Sequence, residues 1–408
     1  MNILMIFHAS PCPPEFGPAR RHFHMLRELL KRHEISVLSF GAPEQREAFL
    51  EQFGGACREA VFVDNRLPRA IDAMLRVARS LAGRSALRHG FTRMLQRELD
   101  RLAERNAFDL IICSIPFLAH YRLPSNVPVI SDTHNVEWLV MQRSCRETRS
   151  LWRKIYYYLQ TRSTRRDEVE AARRVSALMT TSVDDMEVFR EALPNQPIFV
   201  TPNGVDVSAY GAPDEAGEPG SLLFTGLMSY YPNEHGIEWF LDEILPLIRL
   251  EAPGARLIVA GARPSRWLRA RQSEHVVVTG QVPDIRPFFA RAQVFVAPLR
   301  IGGGTRVKIL EAMAMRRPVV ATSLACEGLD VTHGDSLMVA DTPKEFAQAV
   351  IGLLRDEAAR RALASRGRAL IQARYDWAAI GAELEPALHA IARSHEAPAV
   401  STAARSAR

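Results

Sequence analysis

The sequence predicts an α/β protein of two doubly wound domains in tandem, and three observations carry that prediction. The chain has 408 residues, too many for one ordinary core and enough for two of roughly 200 residues each. Short apolar runs alternate with stretches of helical spacing in both halves, the pattern of parallel β-α-β units. Between the halves, residues 209–220 (AYGAPDEAGEPG) are rich in Pro, Gly and acid and read as a linker. The expected division is a first domain over 1–208 and a second over 209–377. A last helix at about 378–394 is expected to pack back on the first domain. Residues 395–408, small, polar and patternless, are expected to form a disordered tail.

In the first half, strands are expected at 2–8, 35–40, 60–63, 110–113, 129–131 and 177–181. Helical apolar spacing marks 20–32, and two long basic stretches, 66–105 and 143–174, also have helical character. The second half repeats the scheme, with strands at 221–225, 256–260, 276–279, 294–297, 318–321 and 336–339. Helices are expected between and after them at 236–250, 286–292, 307–315, 343–356 and 357–375. Parallel sheets of this kind bind ligands beyond the carboxyl ends of their strands. Functional residues are therefore sought in the loops that follow the strands.

Composition excludes several classes. Hydrophobic residues make up 47% and charged residues 24%, as in soluble globular proteins. No apolar run approaches the roughly 20 residues of a membrane span. The N-terminal residues lack a basic n-region and a small-residue cleavage site, so they read as a first strand and not as a leader. The five cysteines are scattered and form no CxxC pair. That suits a reducing cytoplasm and argues against a disulfide framework or a structural zinc site.

Charge is placed unevenly. Residues 1–200 hold 29 Lys+Arg against 23 Asp+Glu, and the remainder holds 23 of each. The excess points either to an anionic partner of the first half or to an arginine-rich composition. Trp152, Tyr156, Tyr157 and Tyr158 stand beside Arg153 and Lys154. This combination suits an anionic membrane interface, and equally an amphipathic helix with a solvated arginine face. No RNA-binding motif accompanies these rings, so nucleic acid is not expected as a partner.

The most informative stretch is APLRIGGGTRVKILEAMAMRRPVVA at 297–321. A strand runs into Gly302, Gly303 and Gly304, then Thr305, then a helix. Glycines let backbone N–H groups approach a ligand, and a helix N-terminus attracts phosphate. Arg306 and Lys308 add two cations that can grip a diphosphate and stabilise it as a leaving group. Glu311 stands further along the helix, where a carboxylate can accept bonds from two ribose hydroxyls. Asp184 and Asp185 lack further clustered ligands and suit a helix N-terminus, so no metal is expected there.

On these residues the chain resembles the family 4 glycosyltransferases. The resemblance extends through Pro13-Pro14-Glu15-Phe16-Gly17, Asp132-Thr133-His134-Asn135-Val136-Glu137, Thr201-Pro202-Asn203-Gly204-Val205-Asp206 and Gly280-Gln281-Val282. It implies the GT-B fold, two Rossmann-like domains facing across a cleft, and a retaining, metal-independent transfer from a nucleotide diphosphate sugar. It implies acceptor contacts at Gly17, Arg20 and Asn203, and a catalytic set of His134, Arg306 and Lys308. Donor contacts are implied at Gly302, Gly303, Gly304, Thr305, Glu311, Val282 and Glu327.

Two departures stand out. Many members carry a Glu-x7-Glu motif, and here Gly303 holds the first position. Many also have Arg and Lys in the loop after the first strand of the second domain. The matching loop, residues 226–233, has neither. Arg306 and Lys308 look like replacements, as in a subgroup with a GGGTRxK loop.

The sequence therefore points to a glycosyltransferase using a UDP- or GDP-linked sugar and no cofactor. The expected acceptor is a glycan or a lipid-linked precursor of a cell-surface polysaccharide or glycolipid. The expected location is cytoplasmic, at the inner face of the membrane. Two alternatives stay open at this point: a sugar-nucleotide epimerase on the same fold, and a non-catalytic sugar-nucleotide or polysaccharide-binding subunit.

Overall fold

Seven short strands build the first sheet: β1 (Asn2–Phe7), β2 (Glu34–Phe40), β3 (Glu59–Val63), β4 (Leu110–Cys113), β5 (Val129–Thr133), β6 (Ala177–Thr180) and β7 (Ile198–Val200). Six build the second: β8 (Ser221–Thr225), β9 (Arg256–Ala260), β10 (Val276–Gly280), β11 (Val294–Ala297), β12 (Val319–Ala321) and β13 (Met338–Val339). The computed structural model describes residues 1–14, 17–64, 69–87, 92–148, 150–211, 217–303 and 305–396. All pairings between strands are parallel. Runs such as LMIF, LIIC and ALMT are apolar on both faces because helices cover both sides of a parallel sheet. The two α/β sheets are Rossmann-like, as the sequence predicts.

The strand orders are β3-β2-β1-β4-β5-β6-β7 and β10-β9-β8-β11-β12-β13. Each reverses direction once, between β1 and β4 and between β8 and β11. A crevice opens at the carboxyl end of each reversal. Two apolar layers, one on each face, enclose the first sheet, and a single large cluster surrounds the second. The final helix, Trp377–Glu396, returns to the first sheet's side. Trp377, Ile380, Leu384 and Leu388 join the layer containing β1, and His33 bonds Glu385 at 2.7 Å.

The structure revises several expected elements. The stretch 66–105 contains two helices, Arg69–Leu81 and Arg93–Arg105, with Gly83 at φ 65° between them and Thr92 capping the second. The stretch 143–174 belongs to two helices as well, Glu137–Glu147 and Leu151–Ala172. The helix expected at 236–250 starts earlier, at Tyr231, and widens into a π-turn over Phe240–Ile244 before continuing as Leu245–Glu251. Pro246 explains the widening: it has no N–H for the Asp242 carbonyl, and its ring crowds that turn. The strand expected at 336–339 shrinks to two residues because Ser336 accepts from the Thr332 N–H at 2.9 Å and closes a turn. Helix Pro43–Phe53 and β7 were not foreseen. Residues 395–396 belong to the last helix, while 397–408 of the expected tail and 212–216 of the expected linker lie outside the described residues.

Candidate active site

The loop after β11 leads into the glycine turn. Gly302 has φ 142°, where L side chains are strained, so glycine is needed. Gly303 follows, and Gly304 lies outside the described residues. Arg306 stands at the N-cap position of helix Val307–Ala314, and its side chain folds back over the turn. It donates to the carbonyls of Gly303 and, at 3.2 Å, Leu324. Its guanidinium is buried, which lowers its proton affinity.

Lys308 reaches the other way, beneath the loop after β8. Its Nζ donates to Asn233 Oδ1 at 2.7 Å and lies 4.0 Å from the centre of the Phe224 ring. A Cβ placed on Gly226 would come within 2.9 Å of that nitrogen. Thus a cation does sit under the 226–233 loop, delivered from the neighbouring helix. Burial pushes the Lys308 amine down to about 7; Arg306 adds to the effect and Glu311 opposes it. Among the described residues no carboxylate forms an ion pair with Lys308, whose one hydrogen-bond partner is a neutral amide.

Glu311 is buried one turn further on. Its Oε1 accepts from the Tyr210 hydroxyl at 2.7 Å and from Arg20 of the first domain. Arg20 also donates from Nε to the Pro14 carbonyl at 3.1 Å. So Arg20, assigned from the sequence to the acceptor, closes here on the carboxylate assigned to the donor's ribose. Gly17 begins the same helix and has open space where a Cβ would stand.

On the first domain, Asp132 is fully buried at the end of β5. Arg21 grips both its oxygens, Nε to Oδ2 and Nη2 to Oδ1, each at 2.8 Å. Burial alone would raise the Asp132 carboxyl; Arg21 and the His134 and His22 rings outweigh it and hold the group well below the usual carboxylate range. Arg21 Nη1 continues to the Pro202 carbonyl at 3.0 Å and to Asn203 Oδ1 at 3.1 Å. Asp132 thus anchors the loop and the domain crossover.

His134 follows β5. Its ring lies 4.6 Å from the His22 ring and 6.1 Å from the His8 ring, and its nitrogens find no well-formed hydrogen bond. Burial pushes it down to about 3, with Asp132 opposing, so the imidazole is neutral across ordinary pH. His8, at the end of β1, bonds Ser114 Oγ through Nδ1 at 2.8 Å. Ligand atoms of His22, Asp132 and His134 lie within 4.8 Å of one another and are, among the described residues, the group that could hold a metal ion. Arg21 already occupies both oxygens of that carboxylate, which disfavours a second cation there.

The facing loops meet directly. Asn203 donates through Nδ2 to the Thr305 carbonyl at 3.3 Å, and Thr305 Oγ1 donates to the Thr181 carbonyl at 3.0 Å. Arg143 crosses from the first domain to the Gly302 carbonyl at 2.5 Å and holds both oxygens of Glu327, at 2.6 and 3.0 Å. Glu327, expected at the donor, is therefore engaged by Arg143. Gly303 packs on Val140, whose Cγ2 would lie 3.0 Å from an added Cβ. Val282 is half-buried just beyond Gly280, which turns at φ 71°. Arg21 enters the sequence reading only beside Arg20, and Arg143, Tyr210 and Asn233 are candidate-site residues without an assignment there. Of these, only Arg21 had a visible signal, as the second of two arginines opening a helix after β1.

Two family models match consecutive parts of the chain: "Glycosyltransferase Family 4" over 17–209 and "Glycosyl transferases group 1" over 219–356. The chain is a family 4-like glycosyltransferase. The glycosyltransferase is 21% identical over 395 residues to an "Uncharacterized 44.6 kDa protein in cps region" of Klebsiella pneumoniae, covering 92% of this chain and 96% of that one. It is 30% identical over 215 residues to a "Phosphatidyl-myo-inositol mannosyltransferase" of Mycobacterium leprae, a match spanning 50% of this chain and 56% of the relative. Among solved structures, Anabaena Alr3699/HepE in complex with UDP and glucose superposes with a TM-score of 0.68 at 16% identity, over 96% of this chain and 100% of that one. This likeness establishes the GT-B fold of the glycosyltransferase.

Proposed function

We propose that the protein is a retaining hexosyltransferase that moves a sugar from a UDP- or GDP-linked donor to a glycan or lipid-linked acceptor, at the cytoplasmic face of a membrane. Lys308 is the observation that carries this reading: a buried amine that, among the described residues, has only a neutral amide as hydrogen-bond partner, beneath the loop where the family pattern has cations. An anion is the missing complement, and a diphosphate beside Arg306 supplies it. The M. leprae mannosyltransferase relative and the UDP complex of the Anabaena structure support the same class of donor and product.

In the proposed reaction, the acceptor hydroxyl oxygen bonds to the anomeric carbon on the face that the diphosphate leaves. The bond from that carbon to the phosphate oxygen breaks, and the hydroxyl proton passes to that phosphate oxygen. Arg306 and Lys308 take up the developing charge. Neutral His134 orients a hydroxyl without itself changing charge, and no metal is required. Glu311 receives the ribose once Arg20 swings off it, so donor entry parts the domains and closure realigns them.

The test is turnover with a panel of sugar nucleotides, preceded by thermal stabilisation to find the donor. Lys308→Ala should abolish transfer while the melting temperature stays at or above the native value, because removing a buried cation leaves no uncompensated charge. Near-normal transfer by Lys308→Ala sinks the proposal. Isomerised donor in the absence of acceptor would instead identify an epimerase.

A further inference from the structure

The helix Leu151–Ala172 changes character along its length. Its second half buries Gln160, Ser163, Thr164, Asp167 and Glu168 at three- and four-residue spacing. There Asp167 accepts from the Ser85 N–H at 2.8 Å and Gln160 from the Ala86 N–H at 2.7 Å. Its first half overhangs. Leu151, Trp152, Ile155, Tyr156, Tyr158 and Leu159 are all exposed, Trp152 by 81%. The adjoining helix Arg69–Leu81 adds Ile71 and Met74, the latter 71% exposed, and Gln160 Nε2 ties the two helices by donating to Ser80 Oγ at 3.0 Å. So large a contiguous apolar surface in water calls for a partner.

The charge around it is one-signed. Residues 151–166 hold five basic residues and no acid. Arg153 and Lys154 are exposed among the apolar side chains, and the Arg162 guanidinium stands 5.1 Å from the centre of the Tyr158 ring. We propose that this overhang, together with helix Arg69–Leu81, docks the protein on a bilayer bearing anionic headgroups. Trp and Tyr rings settle at headgroup depth, aliphatic side chains enter the acyl boundary, and the cations meet lipid phosphates. A second copy of the chain fits poorly, because a two-fold interface would set this all-basic stretch against itself. Nucleic acid would leave Leu151, Ile155, Leu159 and Met74 unused.

The surface also reaches the cleft. The Tyr157 ring stacks on Tyr231 of the second domain at 6.2 Å between centroids, and Arg153 lies 5.8 Å from the same ring. Tyr231 opens the helix in which Asn233 holds Lys308. A bilayer under the overhang therefore lies beside the rim of the proposed diphosphate site, where a lipid-linked acceptor would arrive. That functional sense rests on the proposed transfer; the surface chemistry does not. Among the described residues no helix is long and apolar enough to cross a membrane, so contact at this surface would be peripheral.

The experiment sediments the full chain with vesicles of phosphatidylcholine alone and of phosphatidylcholine with phosphatidylglycerol. Binding is expected at least tenfold stronger to the anionic vesicles and weakened by salt. Arg153→Gln with Lys154→Gln should weaken it by roughly thirtyfold. Trp152→Ser with Leu159→Ser should also release the protein, and both variants should keep the native melting temperature. Equal binding to both vesicle types, or full binding by both variants, overturns the proposal. So does a native dimer that the serine variant dissociates. Titrating the native protein and each variant with UDP and with GDP separates the two readings: intact vesicle binding by a native protein that binds neither nucleotide would strike the proposed function alone.

Discussion

Arg143 and Glu327 stand on different domains, yet the guanidinium meets both carboxylate oxygens, at 2.6 and 3.0 Å, while also holding the Gly302 carbonyl at 2.5 Å. One side chain of the first domain thereby fixes both the glycine turn and the loop after β12. A partly exposed bidentate pair of this kind contributes about 1 kcal/mol. That suffices to shift an open–closed equilibrium about fivefold.

Arg143→Ala should therefore favour the open arrangement. Small-angle scattering of the ligand-free variant should give a larger radius of gyration, and the KM for donor should rise while melting changes little. An unchanged scattering curve would show that the latch carries no weight in closure.

With Lys308 in the proposed diphosphate site, donor affinity should depend on pH. In the free protein its amine is held down at about 7, so the charged form is already half lost at neutrality. A bound diphosphate restores that charge and raises the amine's proton affinity. UDP affinity should fall as the pH rises from about 7 toward 9, by at most about tenfold per unit. The second ionisation of the terminal UDP phosphate lies at about pH 6, so that group is mostly ionised above about pH 7 and adds little slope there. Calorimetric titration of the native protein and of Lys308→Met measures this: the variant should bind weakly and without the slope. An identical slope in both would assign the effect elsewhere.

How much of this was legible in the sequence follows from the range over which each signal acts. The buried parallel strands announced themselves because apolar runs such as LIIC at 110–113 are local. The glycine turn, Arg306 and Lys308 were legible because strand, turn and helix are contiguous. The partners were not. Nothing within a few residues of Arg143 distinguishes it from the other arginines of a basic stretch, and its acceptors lie 159 and 184 residues away. Arg20 and Arg21 are neighbours whose tasks diverge by rotation about the helix: Arg21 turns inward to Asp132, and Arg20 outward to Glu311. The π-turn was readable in principle from Pro246, whose missing N–H lies in mid-helix.

Gly303 has a steric explanation. The glycine faces Val140, and a Cβ there would sit 3.0 Å from its Cγ2. Gly303→Glu, which restores the more common family residue, should therefore lower kcat/KM by hindering closure. Adding Val140→Ala should recover part of the loss, because the two positions are in contact and not additive. A single variant at least as active as the native protein would show that the loop has room, and that the glycine was not needed for fit.

His134 offers the sharpest separation between orienting a substrate and moving its proton. Its imidazole is neutral down to about pH 3, since burial outweighs the attraction of Asp132. A residue that only orients and polarises gives kcat/KM no limb between about pH 5 and 7, the region where an unperturbed histidine would titrate. His134→Ala should lower kcat by roughly a hundredfold, with little change in the donor KM, and leave the shape of the pH profile intact. His134→Asn, which keeps a hydrogen-bonding edge, should retain more activity than the alanine variant. A limb near pH 6 in the native profile that disappears in His134→Ala would mean the ring does exchange its proton during turnover. The transfer would then need a protein base in addition to the leaving phosphate.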